Sequence, residues 1–146
     1  MKSDVVVKRV LWFLIGLGAA LLAASALGAE GEPEKAAAAS AEKWLARLDA
    51  GAYGETWKEG STLFRKALTQ AQWESAARAA REPLGKLLSR KLAKAEFRRS
   101  LPGAPDGEYV VVLYESSFEK KQSAVETVTP MKDDDGVWRV SGYYIQ

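Results

Sequence analysis

The last twelve residues, Asp135 to Gln146, constrain the fold of this chain more than any other stretch. Asp135-Gly136 is typical of a two-residue hairpin turn, because glycine lacks a Cβ and reaches the positive φ that such a turn requires. Aromatic and β-branched residues then run to the end, which predicts a closing β-strand. Strict alternation would place Val140 and Tyr143 on opposite faces of that strand. Neither face is polar throughout, so we expect neighbours to cover part of both.

Helical periodicity dominates the chain before residue 85. Apolar residues at helical spacing up to Leu48 predict a first helix with one buried stripe. Thr69 and Gln72 fit a capping box, which predicts the start of a helix that Pro83 would end. Gly85 marks the bend that follows.

The hydrophobic period changes to two at Leu92, which predicts the first strand, with Ala93, Ala95 and Phe97 on its covered face. Two further strands are predicted at 109–118 and 123–132, joined by short links that favour antiparallel pairing in sequence order. Helices followed by strands predict an α+β fold. We expect the N-terminal helices to pack on a curved antiparallel sheet of about four strands.

The first 28 residues predict a signal peptide. Three basic residues among the first nine precede an uncharged run from Val10 to Ala29, with small residues toward its end. Cleavage after residue 26 or 28 would leave a leader at 29–35 and one domain at 36–146. The alternative is an uncleaved N-terminal membrane anchor, because the run is long enough to span a bilayer. We expect the domain in the periplasm or secreted, or anchored at the inner membrane and facing the periplasm.

Charge and composition exclude several classes of function. Loss of residues 1–28 would leave 18 basic and 18 acidic residues, against 21 and 19 in the whole chain. A neutral domain offers no electrostatic basis for binding nucleic acid, and we expect membrane contact only through an uncleaved N-terminal segment. The chain has no histidine and no cysteine, which excludes a Ser-His-Asp triad, a cysteine nucleophile and an ordinary zinc or copper site. We expect no metal and no cofactor.

A set of motifs is spread over the chain from Ala36 to Ile145 and is specific as a set. It consists of Trp44-Leu45, Asp49-x-Gly51-x-Tyr53, Trp57, Phe64, Thr69-x-x-Gln72-Trp73, Arg81-x-Pro83-Leu84-Gly85, Arg90, Glu126-Thr127 and Trp138-x-Val140-x-Gly142-Tyr143. On these motifs the chain resembles a family of secreted bacterial proteins, domain of unknown function 4019. The resemblance implies a signal peptide and a small domain, with no assigned activity. The order of elements is also similar to nuclear-transport-factor-two-like (NTF2-like, cystatin-like) cones, which host enzymes and binding proteins alike.

Glu126 is the carboxylate that invites a functional interpretation. It lies in mid-strand between valines, and if its face is the one the helices cover, it needs a cation such as Arg81 or Arg90. One hypothesis is a metal-independent hydrolase or isomerase that uses Glu126 with Tyr114 or Tyr143. The favoured interpretation is a structural ion pair or an exposed strand residue.

Aromatic residues could line a pocket, although aromatic stripes at these spacings are more often core. The ligand-binding candidates are Trp57, Trp73, Arg81, Arg90, Glu126, Trp138 and Tyr143. Asp133-Asp134-Asp135-Gly136 lacks the alternate ligands and closing glutamate of a calcium loop, so it is interpreted as a solvated turn. The favoured function is a non-catalytic module that binds a small ligand or a periplasmic protein.

Overall fold

The computed structural model describes residues 31–146, and within them four α-helices precede a four-stranded sheet. The helices are α1 (Glu32–Asp49), α2 (Tyr53–Lys58), α3 (Thr62–Ala67) and α4 (Gln70–Arg81), and a 3-10 turn follows at Glu82–Leu84. The strands are β1 (Leu87–Arg98), β2 (Tyr109–Phe118), β3 (Lys121–Lys132) and β4 (Trp138–Ile145). The predicted signal peptide or anchor, residues 1–28, lies outside the described residues. No helix between residues 31 and 146 is long and apolar enough to cross a membrane.

The predicted α+β architecture is confirmed. The strands pair antiparallel in the order β1-β2-β3-β4, and α1 contacts all four of them. Register irregularities interrupt all three strand pairings, and bulges of this kind bend and twist a sheet. The core therefore lies between the helices and one face of a curved open sheet.

The helix ends follow their local sequence signals. The capping box is present, since Thr69 Oγ1 accepts from the Gln72 backbone N–H at 3.2 Å and Gln72 Oε1 accepts from the Thr69 N–H at 2.9 Å. Gly85 has a φ of 72°, which ends the helical half of the chain. Helix α1 begins at Glu32, so part of the stretch assigned to a polar leader forms its first turn. Pro33 fits there because the first turn needs no backbone donor at that position.

Strand β1 begins earlier than predicted, and its side chains alternate between the two faces differently from the prediction. It begins at Leu87 and contains a bulge between Leu92 and Lys94. The extra residue, Ala93, is exposed, whereas Leu92 packs against the core together with Ala95. The prediction that Ala93 lies on the covered face was wrong, because a bulge shifts the side-chain alternation by one residue.

The predicted faces of β4 were also wrong, because this strand contains a second bulge. Thr129 pairs with Gly142 and Pro130 pairs with Val140, which leaves Ser141 as the extra residue. Val140 and Tyr143 therefore both reach the core, although strict alternation would separate them. Proline has no backbone N–H to give to a ladder, so a bulge is the position in a strand that tolerates it.

The turn before β4 is one residue longer than predicted. The backbone N–H of Asp133 bonds the carbonyl of Val137 at 3.0 Å, and three residues, Asp134 to Gly136, form the loop. Gly136 has a φ of 79°, the left-handed conformation that closes a three-residue hairpin loop. The prediction that this turn needs a glycine is confirmed, whereas the prediction of a two-residue turn was wrong.

Candidate functional site

Glu126 lies at the middle of β3, and no part of it is exposed. Ala124 and Val128 share its face and are also buried, because this is the face that the helices cover. A carboxylate in such a position requires hydrogen-bond donors or a cation.

Three donors surround the carboxylate of Glu126. Arg90 Nε donates to Oε1 at 2.7 Å, Ser116 Oγ donates to the same oxygen at 2.6 Å, and the Tyr143 hydroxyl donates to Oε2 at 2.6 Å. Arg81 Nη1 lies 3.8 Å from Oε2 and adds a second positive charge. Both oxygens of Glu126 are thus engaged.

Asp49, the last residue of α1, completes the arrangement. Its Oδ1 accepts from Arg81 Nη2 at 2.6 Å and from Arg90 Nη2 at 2.9 Å, and its Oδ2 accepts from Arg90 Nη1 at 2.7 Å. Asp49 belongs to one of the family motifs, but its place beside Glu126 was not predicted. The signal was there, since an acidic residue at a helix C-terminus opposes the helix dipole and needs a specific partner.

These contacts form one ionic cluster with two carboxylates and two guanidinium groups, so its formal charge is zero. The cluster is buried at Glu126 and Arg81, whereas the side chains of Arg90 and Asp49 are 13% and 20% exposed. Two helices and all four strands each contribute one residue. The members of the ionic cluster are Asp49, Arg81, Arg90, Ser116, Glu126 and Tyr143.

The cluster shifts the acidity of its members. Burial raises the pKa of Asp49, but the hydrogen bonds from Arg90 and Arg81 outweigh it and leave the pKa below its usual value. Burial, together with the charge of Glu126, raises the pKa of Tyr143 well above 10.0. Burial lowers the pKa of Arg90, but its bonds to Asp49 and Glu126 raise it overall. At neutral pH the phenol is therefore protonated and donates to the carboxylate.

Arg81 is the least completely satisfied member of the ionic cluster. Its Nε and Nη1 have no hydrogen-bond partner among the described residues, although its side chain is only 5% exposed. The face of the Phe118 ring lies 4.9 Å from its guanidinium carbon, a cation–π contact. The guanidinium is therefore sandwiched between carboxylates and an aromatic ring.

The aromatic candidates divide between the cluster and the apolar core. Trp44 links the two, because its ring lies 5.6 Å from that of Tyr143 and 5.7 Å from that of Trp73. Trp73 and Tyr114 are buried in the core, while Trp57 and Trp138 are only partly buried against it. Of the seven predicted ligand-binding residues, the structure brings four together. They are Arg81, Arg90, Glu126 and Tyr143.

The acidic turn before β4 is held by an arginine. Arg139 donates to Asp133 at 3.0 Å and to Asp135 at 2.9 and 2.8 Å. Within residues 31–146, no group of three or more acidic, histidine or cysteine side chains is placed to hold a metal ion.

A separate apolar pocket of about 80 Å³ lies between α3 and the loop that joins β1 to β2. The sheet residues at its floor, Thr129, Ser141 and Gly142, belong to the bulge between β3 and β4. No residue of the ionic cluster lines it. This pocket could not be predicted from the sequence, because its floor depends on the bulge.

The fold and this ionic cluster define a small α+β domain in which charged side chains join the helices to a curved antiparallel sheet. The chain belongs to the family described as Protein of unknown function (DUF4019), whose profile matches residues 40–143. The predicted family membership is thereby confirmed. None of the curated proteins matches the chain.

Proposed function

We propose that this chain is an exported, non-catalytic binding module that receives a small ligand in the apolar pocket. The observation that carries the proposal is the separation of the pocket from the ionic cluster. The charged groups of the ionic cluster are bonded to one another, and Glu126 at its centre is fully buried, while the side chains that line the apolar pocket are uncharged.

The alternative, an enzyme that uses Glu126 with Tyr143 or Tyr114, has less support. A general acid or base must come within hydrogen-bond reach of the substrate. Glu126 is 0% exposed, and donors already occupy both of its oxygens. The cluster is better explained as the link that holds α1 and α4 on the sheet.

A small ligand is favoured over a periplasmic protein partner because the pocket is concave and small. A protein interface would need a broad complementary surface. The position of residues 1–28 ahead of a neutral domain supports export, and no motif points to a cofactor.

The test is to express the full chain in a Gram-negative host, isolate the periplasmic fraction and record denaturing and native mass spectra. We expect a chain cut after residue 26 or 28, and a native mass that exceeds the chain mass by one small molecule. Retention of the whole chain in the membrane fraction would contradict cleavage. A native mass equal to that of the chain, in extracts that retain other ligand complexes, would contradict binding.

A further inference from the structure

The two edges of the sheet differ in how they are covered. At β4 the helical half of the chain covers the free edge, since the Ser61 N–H donates to the Val140 carbonyl at 2.8 Å and Ser40 Oγ donates to the Trp138 carbonyl at 2.8 Å. Strand β1 forms the opposite edge and pairs with β2. Among residues 31–146, the backbone groups of β1 have no hydrogen-bond partner outside β2. The free edge of β1 can therefore pair with a further strand.

This free edge also leaves apolar side chains incompletely covered. β1 runs for 12 residues, and Leu88 near its start is 62% exposed. On the face toward the helices, Leu92, Ala95 and Phe97 are only partly buried against the core. Residues on one face of a sheet lie side by side in neighbouring strands, so the apolar residues of an added strand would cover more of this surface.

The other face of β1 carries an excess of positive charge. Lys94 and Arg98 both pair with Glu96, which lies between them, so one carboxylate serves two cations. Their cross-strand neighbours on β2 are Leu113 and Tyr109, neither of which supplies a carboxylate. Carboxylates on a fifth strand would lie opposite Lys94 and Arg98 and would balance the excess.

A second copy of this chain fits the edge less well than an acidic partner. Two copies of β1 side by side would double the excess of positive charge along the shared edge, and basic residues on an edge strand protect it against self-association. The bulge at Ala93 divides the edge, but the residues after it, Lys94 to Arg98, pair regularly with β2. This regular part is the segment to which a partner strand can add.

We propose that the free edge of β1 binds an extended acidic segment of another protein, which joins the sheet as a fifth strand. Main-chain hydrogen bonds hold a segment of this kind and its side chains give the specificity, so no broad interface is needed. The side chains of the segment alternate, with apolar residues toward the helices and carboxylates opposite Lys94 and Arg98. The proposal goes beyond the small-ligand function, because no residue of β1 lines the apolar pocket.

The test uses the peptide Val-Glu-Val-Thr-Val-Glu-Val. In either strand direction it presents two carboxylates at the spacing of Lys94 and Arg98, with threonine opposite Glu96. We expect NMR of the ¹⁵N-labelled full chain to show slower hydrogen exchange at β1 amides when the peptide is added, because the amides of the free edge become bonded. The same peptide with lysine in place of glutamate should bind far more weakly. No added protection in β1, or equal binding of the two peptides, would overturn the proposal.

Two N-methylated forms of the acidic peptide test the strand geometry. One form is methylated at the backbone amides of its valines, and the other at those of its glutamates and threonine. In a β-ladder only alternate amides face the partner strand, so one form should lose binding and the other should keep it. The same result for both forms would show that the peptide does not pair as a strand.

A pair of double variants tests the charge match. Lys94→Gln with Arg98→Gln should weaken binding of the acidic peptide roughly 3- to 10-fold. The matched control, Arg47→Gln with Lys58→Gln, removes one arginine and one lysine from exposed ion pairs on α1 and α2 and should leave the affinity unchanged. Equal affinities of the two double variants would contradict the charge match. Protection of β1 amides that grows with the concentration of the chain alone would assign the edge to a second copy and refute the acidic partner.

Discussion

Arg90 Nε lies 2.7 Å from Glu126 Oε1, although the two residues stand on strands that are not neighbours. The contact passes over β2, whose Ser116 donates to the same oxygen. Arg90 also donates hydrogen bonds from its two terminal nitrogens to Asp49 at the end of α1. One side chain therefore joins β1, β3 and α1, and this is the basis for treating the ionic cluster as structural.

Glu126→Gln should destabilise the domain strongly. The change leaves two buried guanidinium groups with only Asp49 as a counter-charge. Breaking a buried pair in this way costs about 3–5 kcal/mol, a large part of the stability of an ordinary domain. Urea denaturation at pH 7 measures the loss.

The matched control for that change is Glu108→Gln. Glu108 is 38% exposed and lies 3.8 Å from Lys132, so its removal should cost less than about 1 kcal/mol. Equal losses in the two variants would show that burial of the charge is not the cause.

Tyr143→Phe should lower stability at neutral pH and remove part of its dependence on alkaline pH. The variant leaves Glu126 Oε2 without its 2.6 Å donor, which costs about 1–3 kcal/mol. In the parent, burial raises the folded pKa of Tyr143 above 10.0. The protonated phenol therefore contributes its full stabilisation of the folded state below pH 10, and this contribution is lost as the pH rises through the folded pKa.

Urea midpoints between pH 8 and pH 11 would measure this effect. Tyr144→Phe is the control, because Tyr144 is half-buried and outside the cluster. A midpoint that falls as steeply in Tyr143→Phe as in the parent would contradict the assignment.

The order of helices and strands could be predicted from the sequence, because the ends of these elements have local sequence signals. The capping box at Thr69 and the glycine at residue 136 are short-range signals, and both appear in the structure. The faces of β1 and β4 could not be predicted, because bulges at Ala93 and Ser141 shift the alternation and depend on the partner strand. Within β1, Glu96 pairs with Lys94 and Arg98 of its own strand.

The ionic cluster was predictable in part. Glu126 with Arg81 or Arg90 followed from the rule that a buried carboxylate needs a cation, and the structure contains both pairs. Asp49 could not be added by that rule, because it lies on a helix whose orientation over the sheet the sequence does not specify. Whether any of these residues serves a ligand stays a prediction.

Trp44→Ala should cost more than Trp138→Ala. Trp44 is 2% exposed and its ring nitrogen donates to the Thr56 carbonyl at 2.9 Å, so the variant should lose about 3–5 kcal/mol. Trp138 is half-buried at the start of β4 and should lose about half as much. Thermal or urea unfolding at pH 7 measures the loss of stability in each variant. A larger loss in Trp138→Ala than in Trp44→Ala would mean that the core is centred on the sheet edge.

Asp135 should titrate far below an ordinary aspartate. The hydrogen bonds from Arg139 are the largest cause, and the Val137 N–H adds another, which together lower the pKa of Asp135 to about 2. Because the folded pKa is depressed, the pairing contributes fully above pH 3.8 and is lost as the pH falls through about 2. Carboxyl ¹³C shifts followed from pH 7 to pH 1.5 give the value directly. Arg139→Gln should return it toward 3.8, whereas Asp134→Asn, the neighbouring control, should leave it low. A parent value near that of a free aspartate would show that Arg139 does not hold the turn in solution.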